Sequence, residues 1–346
     1  MSSAESVKWQ LVEVTSPHIS KPVLVYAAKN IPYVSDAHRF QNITIYAPHT
    51  PQTSIHVGDA VACLPSIGSR PKIPQWHVHI HGGAWRDPHL DSTSIEAAVA
   101  HAFASGDPDA PMSAIVSINY TLSPFPTHPT LPYDPTKGDQ LDAARDARHP
   151  THVEDVLRAF ILLRSLGLND DSYILSGHSA GACLAFQAAL FDTKRWGSGS
   201  DQLSPPPRPA ALIGLNGLYD LPDLVYELGD SHQQLQDVYQ SLLGQAFGGD
   251  QSKWPAASPA RFDADDLAAR VNEGKAARLV LIDQSTEDQL VPVGQADKME
   301  KRLKEVQGIQ VVRGHRCNGK HAVPWEEGHM IWESVQDVLT MLRSQG

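Results

Sequence analysis

The sequence predicts a doubly wound α/β protein: a mostly parallel sheet with helices on both faces and a partial cap, as one domain over residues 1–346. Three observations carry this. Short apolar runs of strand length alternate with helical patterns, which is the rhythm of β-α-β units. The later runs are nearly all apolar, as parallel strands covered on both faces must be. A tight turn, GHSAG at 177–181, separates one such run from a helical pattern.

Taken in order, the expected strands are Trp9 to Val14, Val23 to Tyr26, Ile43 to Tyr46, Trp76 to Ile80, Ala114 to Asn119, Tyr173 to Leu175, Ala211 to Leu215, Leu279 to Ile282 and Ile309 to Val312. A helix is signposted at Thr151, where T-x-x-E with Glu154 reads as a capping box, and Gly167 can end it. A second helix is expected from Ala180 to about Phe191, and a last one from Pro324 to about Arg343. Three insertions interrupt the rhythm, near 50–74, 122–150 and 192–262. The first two are loop-like. The third opens with a Gly/Ser/Pro-rich stretch, and its part from Tyr219 to Phe262 is helical enough to lie over the sheet as the cap.

Composition sets limits on function. With 41% hydrophobic and 19% charged residues the chain is an ordinary globular one. Its net charge of -11 and its lack of any Lys/Arg-rich run argue against a nucleic-acid partner. No apolar run approaches membrane-spanning length, and no secretory h-region opens the sequence, so a cytoplasmic protein with no membrane partner is expected. Cys63, Cys183 and Cys317 form no CxxC pair, which suits a reducing compartment. Oligomeric state is not encoded in any motif; a homodimer is compatible with the sequence.

The chemistry begins at Ser179. In G-x-S-x-G, a sharp strand-to-helix turn exposes the serine Oγ, and small residues at 177 and 181 let neighbouring chains approach. The N–H of Ala180 opens the helix, where an anion is favoured. Acyl transfer needs further N–H donors for the developing oxyanion. His81-Gly82-Gly83 follows an earlier strand, where such a loop belongs, so Gly82 and Gly83 join Ala180 as oxyanion-hole candidates. His77, His79 and His81 form H-x-H-x-H and on a strand would face one way. A metal site is weighed and set aside because no carboxylate is spaced as a partner; no metal and no cofactor are expected.

A serine nucleophile needs a base, and the base an orienting carboxylate, in the chain order Ser, Asp/Glu, His. The loop after Leu279 to Ile282 offers Asp283, Glu287 and Asp288; Asp288 is favoured because the acid must reach across from the loop. The segment after the last strand offers His315, His321 and His329; His321, in the loop before the final helix, is favoured.

With these residues the chain resembles an α/β-hydrolase of the esterase/lipase kind over nearly its whole length. HGG followed by Ala84-Trp85 is more particular: it resembles the H-G-G-x-W signature of the kynurenine formamidases (arylformamidases), and GKHAVPWEEG is similar to that family's histidine loop. The resemblance implies hydrolysis of a small molecule, N-formyl-L-kynurenine, to L-kynurenine and formate, in tryptophan breakdown and NAD biosynthesis. It implies Ser179, Asp288 and His321 as triad and the Gly82, Gly83 and Ala180 amides as oxyanion hole. The substrate's aryl ring needs an aromatic wall, for which Trp85 is the candidate. Two rivals stand beside this reading: a broad carboxylesterase on short acyl esters, and a hydrolase-fold protein that only binds.

Overall fold

In the computed structural model, residues 6–51, 53–66, 74–105, 112–196 and 203–344 are described. Parts of two insertions, residues 52, 67–73 and 197–202, lie outside them. Among the described residues, nine strands form one sheet: β1 (Gln10–Val14), β2 (Val23–Pro32), β3 (Asn42–Pro48), β4 (Trp76–Ile80), β5 (Ala114–Ile118), β6 (Tyr173–His178), β7 (Ala211–Leu215), β8 (Leu279–Asp283) and β9 (Gln310–Arg313). Every expected strand is present, with boundaries shifted by a few residues at most except in β2, which runs on to Pro32. The order is β1-β2-β3-β5-β4-β6-β7-β8-β9. The first strands pair antiparallel, and from β5 to β9 all pairs are parallel.

Among the described residues ten α-helices accompany them: α1 (Glu96–Phe103), α2 (Thr151–Ser165), α3 (Ala180–Leu190), α4 (Asp223–Tyr226), α5 (Gln236–Phe247), α6 (Trp254–Ala257), α7 (Ala264–Asn272), α8 (Gly294–Lys304), α9 (Val323–Glu327) and α10 (His329–Ser344). Alternation along the strands sorts the core onto two faces. Leu175 packs with α2 and α3 residues such as Val156, Phe160 and Leu184. Its neighbour Ile174 packs on the other side with Val99 of α1 and Val335 of α10. Each such fully buried side chain contributes about 1.5–3 kcal/mol, so both faces of the parallel half are closed to water.

The register positions the chemistry. In β4, Ile80 lies opposite Gly177 of β6 on one side and Ile118 of β5 on the other. The chain leaving β4 at His81 therefore emerges beside the chain leaving β6 at Ser179.

Two expectations at helix ends are corrected. Thr151 does not cap α2: Pro150 holds the N-cap position without a side-chain hydrogen bond, and Thr151 is already helical. The Glu154 carboxylate instead accepts from Arg158 Nη2 at 3.2 Å, one helical turn on. The final helix is two helices. Gly328 (φ +76) breaks it, and a Cβ there would lie 2.2 Å from the backbone of Ala97 in α1, so the chain turns where α1 presses against it. His329 consequently opens α10 rather than lying within a longer helix.

Candidate active site

Ser179 stands between β6 and α3 with φ 56 and ψ -122, a conformation non-glycine residues rarely hold. Two glycines permit it by close approach. A Cβ on Gly177 would lie 2.2 Å from the Gly181 carbonyl oxygen, and one on Gly181 would lie 2.1 Å from that of Ile80. The Ser179 N–H donates to Leu215 O of β7 at 2.9 Å, which fixes the turn to the sheet.

The loop after β4 lies against this turn. A Cβ on Gly82 would sit 3.2 Å from Ser179 Cβ. Gly83, Ala84 and Trp85 all have positive φ, at 94, 50 and 58. A run of three left-handed residues, two of them with side chains, stores strain that surrounding bonds must hold. The Tyr120 hydroxyl donates to Gly82 O at 2.8 Å, and the N–H groups of Arg86 and Asp87 both donate to Gly83 O at 2.9 Å. The N–H groups of Gly83, Ala84 and Ala180 find no acceptor among the described residues.

His321 is on the loop between β9 and α9. Its Nδ1 donates to Asp288 Oδ2 at 2.7 Å, which leaves Nε2 as the acceptor. Asp288 Oδ1 accepts from the N–H groups of Leu290 at 2.8 Å and Val291 at 2.9 Å, and Oδ2 also from Gln284 Nε2 at 3.1 Å. Burial pushes the Asp288 carboxyl upward, but the hydrogen bond and charge of His321 and the two backbone donors outweigh it and hold it below the usual carboxylate range. The histidine loop is fixed on three further sides. The His321 N–H donates to Gln289 Oε1 at 2.9 Å, its carbonyl accepts from His178 Nε2 at 2.9 Å, and Gly319 O accepts from Ser285 Oγ at 2.6 Å.

The competing candidates are elsewhere. Asp283 Oδ2 accepts from the N–H groups of Arg316 at 2.7 Å and Cys317 at 3.2 Å, so it shapes the turn after β9. Glu287 and His315 are exposed. His329 packs edge-on against His18, with Nδ1 3.6 Å from Glu327. His77 Nε2 and His79 Nδ1 share the Ser176 hydroxyl at 2.6 and 2.7 Å, and burial pushes His77 down to about 3, so both are neutral, buried and hydrogen-bonded. Among the described residues, the ligand atoms of His18, Glu327 and His329 come within 4.8 Å of one another; none of the three lines the cavity at Ser179.

That cavity, of about 340 Å³, brings together Gly83, Ser179, His178 and His321. Its volume falls in the range of small-molecule sites. Trp85 is corrected: it is 0% exposed and outside the lining, its indole packed edge-on to Phe247 of α5 at 4.9 Å. The left-handed backbone at Trp85 turns the side chain under the loop, where it ties the loop to the cap. The aromatic wall comes from Phe125, Tyr239 and Trp325 instead. Phe125 belongs to the proline-rich insertion and Tyr239 to α5, so the segments that broke the α/β rhythm build the pocket. Sequence reasoning missed Phe125, Tyr239, Gln284, Gln289 and Arg86; Arg86 had a signal, since it directly follows HGGAW.

Comparison with known proteins agrees with this architecture. The BD-FAE family matches residues 141–303. The chain is 31% identical to the kynurenine formamidase-like hydrolase fscH of Fusarium equiseti, over 90% of this chain and 94% of that one. It is 31% identical to the kynurenine formamidase avaC of Aspergillus versicolor over 70% of this chain and 80% of that one. Among solved structures, esterase B from Lactobacillus rhamnosis superposes with TM-score 0.60 at 14% identity, covering 93% of this chain and 88% of that one. Carboxyl esterase 2 of Tuber melanosporum does so with TM-score 0.54 at 16% identity, covering 96% and 86%.

Proposed function

The chain belongs to the kynurenine formamidase-like hydrolases of the α/β-hydrolase superfamily, and from that premise we propose that it is an arylformamidase, a serine hydrolase that cleaves N-formyl-L-kynurenine to L-kynurenine and formate. The observation that carries the reading is the hydrogen bond of 2.7 Å between buried Asp288 and His321, which lines the same cavity as Ser179 of the strained turn.

In this reading Ser179 Oγ attacks the formyl carbon while His321 Nε2 takes its proton. Asp288, held as a carboxylate, orients the imidazole and balances the imidazolium. The oxyanion is received by N–H groups of Gly82, Gly83 and Ala180, with Ala180 at the N-terminus of α3. His321 returns the proton to the arylamine nitrogen as the C–N bond breaks. Water then attacks the formyl-serine, His321 takes one of its protons, and formate leaves as Ser179 recovers its hydrogen. A formyl group needs almost no acyl pocket, and the apolar, aromatic cavity suits the aryl ring.

The test is hydrolysis of N-formyl-L-kynurenine beside p-nitrophenyl acetate, with fluorophosphonate labelling, for the wild type and Ser179→Ala. Preference for the formamide in kcat/KM, with both turnover and labelling lost in the variant, is the expected result. Higher kcat/KM on the ester would replace this substrate with short acyl esters. No labelling and no turnover of either would leave a binding protein.

A further inference from the structure

Arg86 carries a charge that the fold leaves unanswered. The residue is 5% exposed and lines the cavity of Ser179 and His321. Its Nε and Nη1 are buried with no hydrogen-bond partner among the described residues. Its guanidinium carbon lies 3.9 Å from the centre of the Phe125 ring, a cation–π contact that orients the group but satisfies none of its N–H donors. Burial pushes the guanidinium down to about 10, against the opposing charge of Asp87, so it remains cationic at neutral pH.

Asp87 does not answer it. One of its oxygens, Oδ1, accepts from the N–H of His89 at 2.9 Å and lies 3.5 Å from His128 Nε2. Among the residues lining the cavity, Arg86 is the single arginine or lysine. A buried, unpaired guanidinium is costly, and the cost is recovered when an anion with matching geometry arrives. A carboxylate has the matching chemistry: its oxygens accept charge-assisted hydrogen bonds from guanidinium N–H groups.

We propose that Arg86 is the subsite for a carboxylate of the substrate, so that this enzyme selects acylated arylamines or esters that carry a carboxylate besides the bond to be cut. The proposal deepens the arylformamidase reading and rests on the same cavity. It assigns a place to the charged end of an amino-acid substrate: the aryl ring lies among Phe125 and the apolar wall, and the carboxylate meets the guanidinium held over that same ring.

Two measurements test it. The first compares kcat/KM on N-formyl-L-kynurenine and on 2′-formamidoacetophenone, which has no carboxylate, for the wild type, Arg86→Gln and Arg86→Lys. In Arg86→Gln the ratio of the two should fall about 10- to 100-fold, mainly through KM, as expected for loss of a charge-assisted pair. Arg86→Lys should recover part of it, since it restores the charge without the fork. An unchanged ratio overturns the proposal, because a merely structural arginine would depress both substrates alike. The second needs no turnover and no variant: calorimetric Kd values of the wild type for 4-(2-aminophenyl)-4-oxobutanoate and its primary amide. Binding of the carboxylate at least tenfold tighter supports the subsite even if neither formamide is hydrolysed, which separates failure of the substrate reading from failure of this one. Equal affinities, or binding of neither, overturn it.

Discussion

Gly181→Ala adds one methyl at the most crowded point of the site. Its Cβ would stand 2.1 Å from Ile80 O and 2.3 Å from His81 O, where carbon and oxygen need at least 3.0 Å. Both obstacles are backbone, so no rotamer change relieves the clash. The start of α3 must part from the end of β4 by roughly 1 Å, as overpacking of a filled interior requires. The stability cost should be about 1–3 kcal/mol, which in a chain of this length corresponds to about 1.5–4 °C in Tm. The movement carries the β4 loop away from Ser179, and a 1 Å misplacement of reacting groups lowers turnover about 10²-fold. The assay is kcat/KM on p-nitrophenyl acetate together with a thermal melt. Gly244→Ala is the control, since a Cβ within α5 there meets nothing within 4 Å; it should gain about 0.5–1 kcal/mol. Near-wild-type turnover in Gly181→Ala would refute the coupling between the two loops on which the site is built.

Three further outcomes follow from the structure. His321→Ala should lower kcat at least 10³-fold and His315→Ala less than threefold, while Asp288→Asn should fall by orders of magnitude through loss of imidazole orientation; a disabled His315 variant would reverse the assignment. Trp85→Leu, which removes a prop rather than a substrate contact, should cost about 2 kcal/mol in stability and reduce kcat/KM on N-formyl-L-kynurenine and on p-nitrophenyl acetate by the same factor; a loss confined to N-formyl-L-kynurenine would return the indole to the pocket. The buried histidines set a pH dependence: burial pushes His77, His152 and His178 down to about 3 and His149 to about 4. Unfolded, each titrates near 6.5. Between about pH 4 and 6.5 the unfolded chain binds more protons, so stability is full above about 6.5 and lost as pH falls, by on the order of 5 kcal/mol at pH 5.5. Urea melts at pH 5.5 and 7.5 with equal free energies would contradict this.

The strands and the serine turn were legible because local chemistry dictates them. Apolar runs such as LVLID and AIVSI have few other uses, and GHSAG requires glycines where chains nearly touch. What was not legible depended on distant partners. Gly328 is an ordinary helix-stop residue, but the close approach of α1 that demands a glycine there comes from far away in sequence. T-x-x-E at 151 is a valid cap in isolation, but the turn entering α2 places the N-cap one residue earlier, at Pro150, and Thr151 is already helical. In the sequence Trp85 is the candidate ligand contact because the aryl ring of the implied substrate needs an aromatic wall. Its direction is set by three successive left-handed residues, a property of backbone angles that composition does not display. The cavity wall was illegible for a related reason: Phe125, Tyr239 and Trp325 come from three separate segments and meet only in space.

The placement of those wall residues has a consequence for how such a protein changes over time. Ser179, Asp288 and His321 stand on turns at the ends of β6, β8 and β9, where a shift disturbs the whole sheet. Phe125 stands in a connection between core elements, and Tyr239 in a helix laid over the opening. Substitutions in these two segments can reshape what enters without moving the three residues proposed to carry the chemistry. The architecture thus lets substrate preference drift under selection while hydrolysis itself is inherited unchanged, so divergence among relatives of this chain should concentrate in the 122–150 and 219–262 segments.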